Sequence, residues 1–197
     1  MSKASILAAV RANKPGPRPH PGTLRPERPA SGAAAFAAAA ALSKSKTVLH
    51  DDGAPLGELV TQLHPTAERL YVHPEVLARF PDLESLLGRQ VIEAVSTPQV
   101  LADIHLAILP ARCGVCENGA CWLDDDCVPH RALPFSTEHL LLVVERASLV
   151  PTMHDAYARF RTSGFGVFIA GPSKTADIEQ SLVIGAQGPR SLTVVLV

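Results

Sequence analysis

The chain has 197 residues, 47% hydrophobic and 19% charged, which is enough apolar material for one domain of ordinary size to bury a core. Its formal net charge is −1, so no global basic field favours nucleic acid or an anionic lipid surface. No apolar run reaches the ~18 residues a membrane span needs, and the run Ala33–Leu42 lacks the position and flanks of a signal peptide, so the expectation is a cytoplasmic protein.

Ser2–Arg11 predicts a short helix with Ile6, Leu7 and Val10 on one face and Ser2 or Ser5 as its cap. Lys14–Pro29 carries six prolines in sixteen residues and reads as an extended arm or linker. Phe36–Leu42 predicts a second helix, mostly alanine, with little side chain to pack by itself. Residues 1–45 are thus N-terminal helices and a Pro-rich arm, and residues 46–197 form the main domain.

From Lys46 the pattern alternates. Thr47–Leu49, Arg69–Val72 and Val91–Val95 read as strands, with helical segments over Leu56–Leu63, over Glu75–Leu87 with a break at Pro81, and from Pro98 toward Ile104. This spacing predicts βαβ units and an α/β fold with an open, mostly parallel sheet flanked by helices. Leu106–Trp122 departs from that rhythm. Ala107–Leu109 and Ala120–Leu123 are strand-like, and Asn118-Gly119 between them suits a hairpin or a bulged bend. Asp124-Asp125-Asp126 reads as a solvated loop. Leu140–Val144 is the most apolar strand and belongs at the centre of the sheet. Pro151 opens a helix to about Arg161.

The stretch Gly166–Arg190 organises the rest. Val167–Ala170 reads as a buried strand broken by Gly171-Pro172. Ser173 or Thr175 would then cap a short helix through Ala176–Gln180, and Leu192–Val197 forms the last strand. Strand, turn and helix start is a way to build an anion site, although the same hydroxyls could simply cap their own helix.

Four cysteines, Cys113, Cys116, Cys121 and Cys127, fall within fifteen residues, too local for a disulfide framework. Their spacing, with His130 nearby, raises zinc or iron–sulfur ligation, but it is not a ferredoxin pattern, and buried cysteine packs as a small hydrophobe. The reading is no metal in this chain. No Gly-x-Gly-x-x-Gly, Walker or zincin signature is present.

Gly114-Val-Cys-Glu-Asn-Gly-Ala120 and Gly171-Pro-Ser-Lys-Thr-Ala-Asp-Ile-Glu179 resemble the lactate-utilisation protein C family, whose domain is called LUD. Leu133-Pro134, His139, Val150-Pro-Thr152 and Gly188-Pro-Arg-Ser-Leu192 support the likeness in fixed order from about Leu106 to the end. The resemblance implies a fold like that of ribose-phosphate isomerase, glucosamine-phosphate deaminase and CoA-transferases. It also implies a three-part bacterial system oxidising L-lactate to pyruvate. This chain would then be an accessory subunit beside two iron–sulfur proteins, with the clusters in those partners and no cofactor of its own. The sequence departs from the family at Cys116, commonly small or apolar, and at Gln187, often histidine.

Within that frame Glu117 is the first candidate. A carboxylate at a Glu-Asn-Gly bend is held by a rigid scaffold, and Gly119 would let a ligand approach the backbone. Cys116–Gly119 also resembles the Ser-Glu-Asn-Gly of CoA-transferases, in which the glutamate is the nucleophile, so a stand-alone acyl-CoA transferase or sugar-phosphate isomerase is the alternative function. A turn glutamate in solvent is the plain reading. Asn118, Gly119, Ser173, Thr175, Asp177, Glu179 and Gly188 complete a candidate ligand site. Asp177 and Glu179 are two apart on the expected helix, so at most one would face it. Arg190 suits the carboxylate of a hydroxy acid, or a phosphate, although an ion pair would use the same fork. His139 could carry a proton near neutral pH or be a hydrogen-bonded strand-end histidine.

Overall fold

The computed structural model describes residues 2–19, 22, 29–51, 53–88, 90–91, 98–160, 164–175 and 183–197. Helix α1 is Lys3–Ala12, its cap made by Ser2 Oγ accepting from the Ser5 N–H at 3.2 Å, and none of its residues is buried. Helix α2, Ala33–Leu42, buries Phe36 and Ala40 completely. Helix α2, although it precedes residue 46, thus packs on the main sheet. Its small side chains let the helix lie close on the sheet, and the single aromatic fills the remaining gap.

The chain continues through β1 (Lys46–Leu49), α3 (Leu56–Leu63), β2 (Arg69–Val72), α4 (Pro74–Arg79), a 3₁₀ segment from Pro81, β3 (Gln90–Val91) and a 3₁₀ turn from Pro98. The break expected at Pro81 is the change from α to 3₁₀ geometry. Of the strand expected over Val91–Val95, residues 92–95 lie outside the described residues. Then come β4 (Leu106–Ala111), β5 (Cys113–Val115), β6 (Ala120–Asp124), α5 (Leu133–Ser136), β7 (His139–Val144), α6 (Met153–Arg159), β8 (Gly166–Ile169), β9 (Lys174–Thr175), β10 (Val183–Ile184) and β11 (Ser191–Leu196).

Among the described residues six strands form one parallel sheet in the order β1-β11-β7-β4-β2-β3. β7 sits between β11 and β4, as its continuous apolar run requires of a strand covered on both faces. Alternation sorts the run between two cores. Leu140, Leu142 and Val144 face α2 with Ala107, Leu109, Leu192 and Val194, whereas Leu141 and Val143 face α3 with Leu56, Val60, Leu70 and Ile108. Leu140, Leu141 and Leu142 are all fully buried.

A second, antiparallel sheet β5-β6-β8 lies over the α2 side. Cys121 and Leu123 point from it into the main core, while Trp122 points outward to Val115, Ala156, Phe160 and Phe168 beneath α6. The hairpin expected around Asn118-Gly119 is the β5–β6 turn. Two expectations are overturned here. Val167–Ile169 does not enter the parallel sheet: it is a half-buried edge strand pairing antiparallel with β6, and Ala170 is exposed. Lys174–Thr175 does not begin a helix: it pairs antiparallel with Val183–Ile184. The Ser173 N–H donates to Pro189 O at 2.9 Å and its carbonyl accepts from Gly185 N at 2.9 Å, so long-range backbone bonds replace the local cap. The rest of the expected helix, Ala176–Gln180, lies outside the described residues.

Candidate functional site

Parallel strands put all their amino ends along one edge and all their carboxyl ends along the other. Open α/β sheets usually bind ligands at the carboxyl edge. Among the described residues ion pairs cross that edge. Arg112 pairs with Glu75 at 3.0 Å and with Asp124 at 3.5 Å, Arg79 pairs with Glu145, and the cavity between Glu75, Phe80, Pro110 and Glu145 has only ≈ 50 Å³.

The amino edge is open. The segments entering β4, β7 and β11 line a chamber of ≈ 510 Å³, with Asp103 and His105 from the first, Phe135–Glu138 from the second and Gly185, Gly188 and Arg190 from the third. Parallel pairing dictates this convergence, because Leu106, His139 and Ser191 are register partners. Arg190 projects at the rim, two-thirds exposed, its Nη1 donating to Glu138 Oε1 at 2.8 Å. The backbones of the two residues are also joined, Arg190 N to Glu138 O at 2.7 Å. The contact uses one of five guanidinium N–H donors, which leaves the fork able to take a second anion. His105 accepts at Nδ1 from the Glu68 N–H at 3.1 Å, which puts its own proton on Nε2 and makes that nitrogen a donor. Asp103 is held by Arg69 at 2.6 Å.

His139 lies behind Arg190 and does not line the chamber, its Nδ1 2.7 Å from Ser191 Oγ and its ring 4.8 Å from that of His64. Burial lowers its proton affinity, partly offset by Glu138, while Arg190 and His105 lower it further. It is a strand-end histidine held neutral at pH 7.

A second hollow of ≈ 230 Å³ adjoins the first. Ser173, Gln187 and Gly188 line it with Phe135, Phe168 and Leu192. A Cβ on Gly188 would lie 3.1 Å from Ser173 Cβ and 3.3 Å from Phe135 O, so only glycine lets the three segments meet without displacement. Thr175 stands in β9, and Asp177 and Glu179 lie outside the described residues.

Glu117 is elsewhere. It is exposed at the β5–β6 tip, where its Oε1 accepts the Met153 N–H at 2.8 Å and its own N–H donates to Pro151 O. Thr152 and Asp155 form a capping box at the same helix start, so Glu117 is one more acceptor for the amino end of α6. Asn118 Oδ1 accepts from the Ala120 N–H at 3.0 Å and holds the turn. The close approach at Gly119 is that of α2. A Cβ there would lie 2.4 Å from Ala40 Cα, so the glycine admits α2. Lys174 donates to Ser43 O at 2.8 Å, and Ser43 Oγ reaches Asn118 O at 3.4 Å. Ser43 therefore joins the two predicted segments, yet the Glu117 carboxylate lines neither hollow.

The thiols are dispersed. Cys113 faces Trp122, Cys121 faces the main core, and Cys116 Sγ lies 3.7 Å from Gly32 O. Burial raises all four, Cys113 to about 11 and Cys127 to about 12, which keeps them as protonated packing groups. Among the described residues no three histidine, cysteine or acidic side chains are placed to share a metal ion.

Sequence reasoning missed His105, Phe135 and Glu138. They flank strands without a local pattern of their own, and only the parallel register gathers them.

Residues 83–197 match the LUD domain family. Lactate utilization protein C of Geobacillus kaustophilus is 32% identical over 122 residues, covering 56% of this chain and 47% of that protein. The protein of the same name from Geobacillus thermodenitrificans is 32% identical over 124 residues, covering 57% and 48%. The matched part thus spans about half the length of these curated relatives. A solved DUF162 family protein from Deinococcus radiodurans has the same fold, with a TM-score of 0.64 at 18% identity over 83% of this chain and 94% of that one. No helix among the described residues is long and apolar enough to cross a membrane. The α/β architecture, the motifs from Gly114 to Arg190 and the match over more than half the sequence make one case: the chain belongs to the LUD domain family.

Proposed function

We propose that this protein serves lactate utilisation as an accessory component that holds a small carboxylate in the amino-edge chamber. Iron–sulfur proteins are its partners in this reading, and their clusters carry the electrons. The observation that carries it is Arg190 at the rim of a ≈ 510 Å³ chamber that His105, with its Nε2–H donor, also lines. A guanidinium takes a carboxylate through paired, charge-assisted hydrogen bonds, and an imidazole N–H suits the adjoining hydroxyl or keto oxygen of a 2-hydroxy or 2-keto acid. The relatives named lactate utilization protein C point to the same class of acid.

Arg190→Gln tests this. The arginine is exposed, so its pair with Glu138 adds little stability, at most about 1 kcal/mol. Loss of the charge-assisted pair should weaken L-lactate or pyruvate binding about tenfold or more by titration calorimetry. It should also slow growth on lactate of a strain lacking its own lactate utilization protein C. Undiminished binding and growth would refute the assignment.

Glu117 is structural in this reading, and Glu117→Gln separates it from a nucleophile. The amide oxygen can still accept the Met153 N–H, so the loss should not exceed about 1 kcal/mol of charge–dipole stabilisation. Growth on lactate should be normal. A variant with an unchanged melting temperature and no growth would instead restore the acyl-transfer alternative.

A further inference from the structure

We infer that the charged chamber and the neighbouring apolar hollow are one bipartite site, and that it takes a carboxylate bearing a bulky apolar group, a 2-hydroxy or 2-keto acid with an aryl or long alkyl side chain. The inference rests on the reading that Arg190 holds a carboxylate, and it concerns what fills the remainder of the site. Three observations carry it.

The first is size. The space is widely open to solvent, and a three-carbon acid would occupy only a small part of its ≈ 510 Å³. The second is continuity. Phe135 and Gly188 line both spaces, so the chamber at Arg190 and the ≈ 230 Å³ hollow are direct neighbours with two lining residues in common. The third is polarity. The register partners Leu140 and Leu192 line the hollow with Phe168 and Ile169, the polar side chains there are Ser173 and Gln187, and no charged side chain lines it among the described residues. Phe135 stands at the junction with 45% of its surface exposed. An apolar ligand arm would cover that ring.

Charge at one end and an apolar slot at the other define the ligand by chemistry. The carboxylate pairs with Arg190, the 2-oxygen meets His105, and the side chain lies in the hollow beside Phe135 and Phe168.

The full chain would be titrated by calorimetry with L-lactate, 2-hydroxyhexanoate, L-3-phenyllactate and the uncharged 1-phenyl-2-propanol. Phenyllactate should bind at least about tenfold tighter than lactate, as enclosure of one ring supports, with 2-hydroxyhexanoate between them and the alcohol far weaker. Ile169→Thr keeps a β-branched residue in the half-buried edge strand and should bring the phenyllactate-to-lactate ratio toward unity. Phe135→Ala, at an exposed position, gives the same readout if the first variant folds poorly. Lactate bound as tightly as phenyllactate would overturn the bipartite site and leave the lactate-binding proposal standing. Phenyllactate bound no better than the alcohol would also overturn the inference, because the hollow would then be a generic apolar patch. Carboxylate binding unaffected by Arg190→Gln, or no binding at all, would overturn both.

Discussion

Gly119→Ala is expected to destabilise the domain by about 3 kcal/mol or more, through two independent costs. Gly119 has φ +69°, a left-handed conformation that costs an L side chain about 1 kcal/mol or more. The new methyl would also lie 2.4 Å from both the Cα and the N of Ala40, and 2.9 Å from its Cβ. Two of these three contacts are backbone, so no rotamer change relieves them. Either α2 lifts from the sheet, exposing the fully buried Phe36, or the β5–β6 hairpin unpairs; overpacking of this kind costs ~1–3 kcal/mol. For a domain of this size the sum corresponds to a fall in melting temperature of roughly 10 °C. Gly114→Ala is the useful comparison. Its methyl would meet Leu149 Cδ2 at 2.7 Å and Phe36 Cε2 at 2.8 Å, both side-chain atoms that can move, so its loss should be smaller. The outcome also decides what Gly119 is for. A variant melting within about 2 °C of the parent but defective in ligand binding would make it a ligand-approach glycine after all.

The strands were legible because burial on both faces leaves little freedom. His139–Val144 has to be central, since a parallel strand between β4 and β11 needs apolar side chains on both sides. Asn118-Gly119 was legible as a reversal because its chemistry is local. Gly166–Ile169 was misread because a short apolar run does not distinguish a parallel strand from an antiparallel one. Ser173–Thr175 was misread for a related reason. Hydroxyls followed by acids satisfy a cap pattern, yet the Ser173 backbone bonds to Pro189 and Gly185, more than ten residues away. The site inherited that error in part. Arg190 and Gly188 were singled out from their own chemistry, whereas His105, Phe135 and Glu138 become neighbours only when three parallel strands align their amino ends. Glu117 shows the opposite case, a carboxylate conspicuous in sequence whose recorded partner is the start of α6.

Below neutral pH the domain should lose stability earlier than its carboxylates would dictate, with His64 as the main cause. His64 ends α3 with only 8% of its surface exposed and its ring against that of His139. Burial, then the charges of His139 at the start of β7 and Lys46 at the start of β1, push its pKa from 6.5 down to about 4. His139, flanked by Glu138, Arg190 and His105, is lowered in the same direction. The sign follows from proton counting. Above about pH 6.5 the imidazole is neutral in both folded and unfolded chains, and nothing changes. Between about 6.5 and 4 the unfolded chain binds a proton that the folded chain refuses, so stability falls as pH falls. Below about 4 both states are protonated and the loss is complete, up to about 3 kcal/mol from His64 alone. That is a large share of the ~5–15 kcal/mol a domain possesses. Urea denaturation at pH 7, 6, 5 and 4.5 should therefore show unfolding free energy dropping steadily through a range in which exposed carboxylates are still ionised. His64→Leu removes the titrating group while keeping the site filled, so its curve should be distinctly flatter over that interval, whatever its value at pH 7. Equal slopes for the two proteins would mean that the buried imidazole accepts its proton without opposing the fold, and the acid sensitivity would have to be sought among the carboxylates.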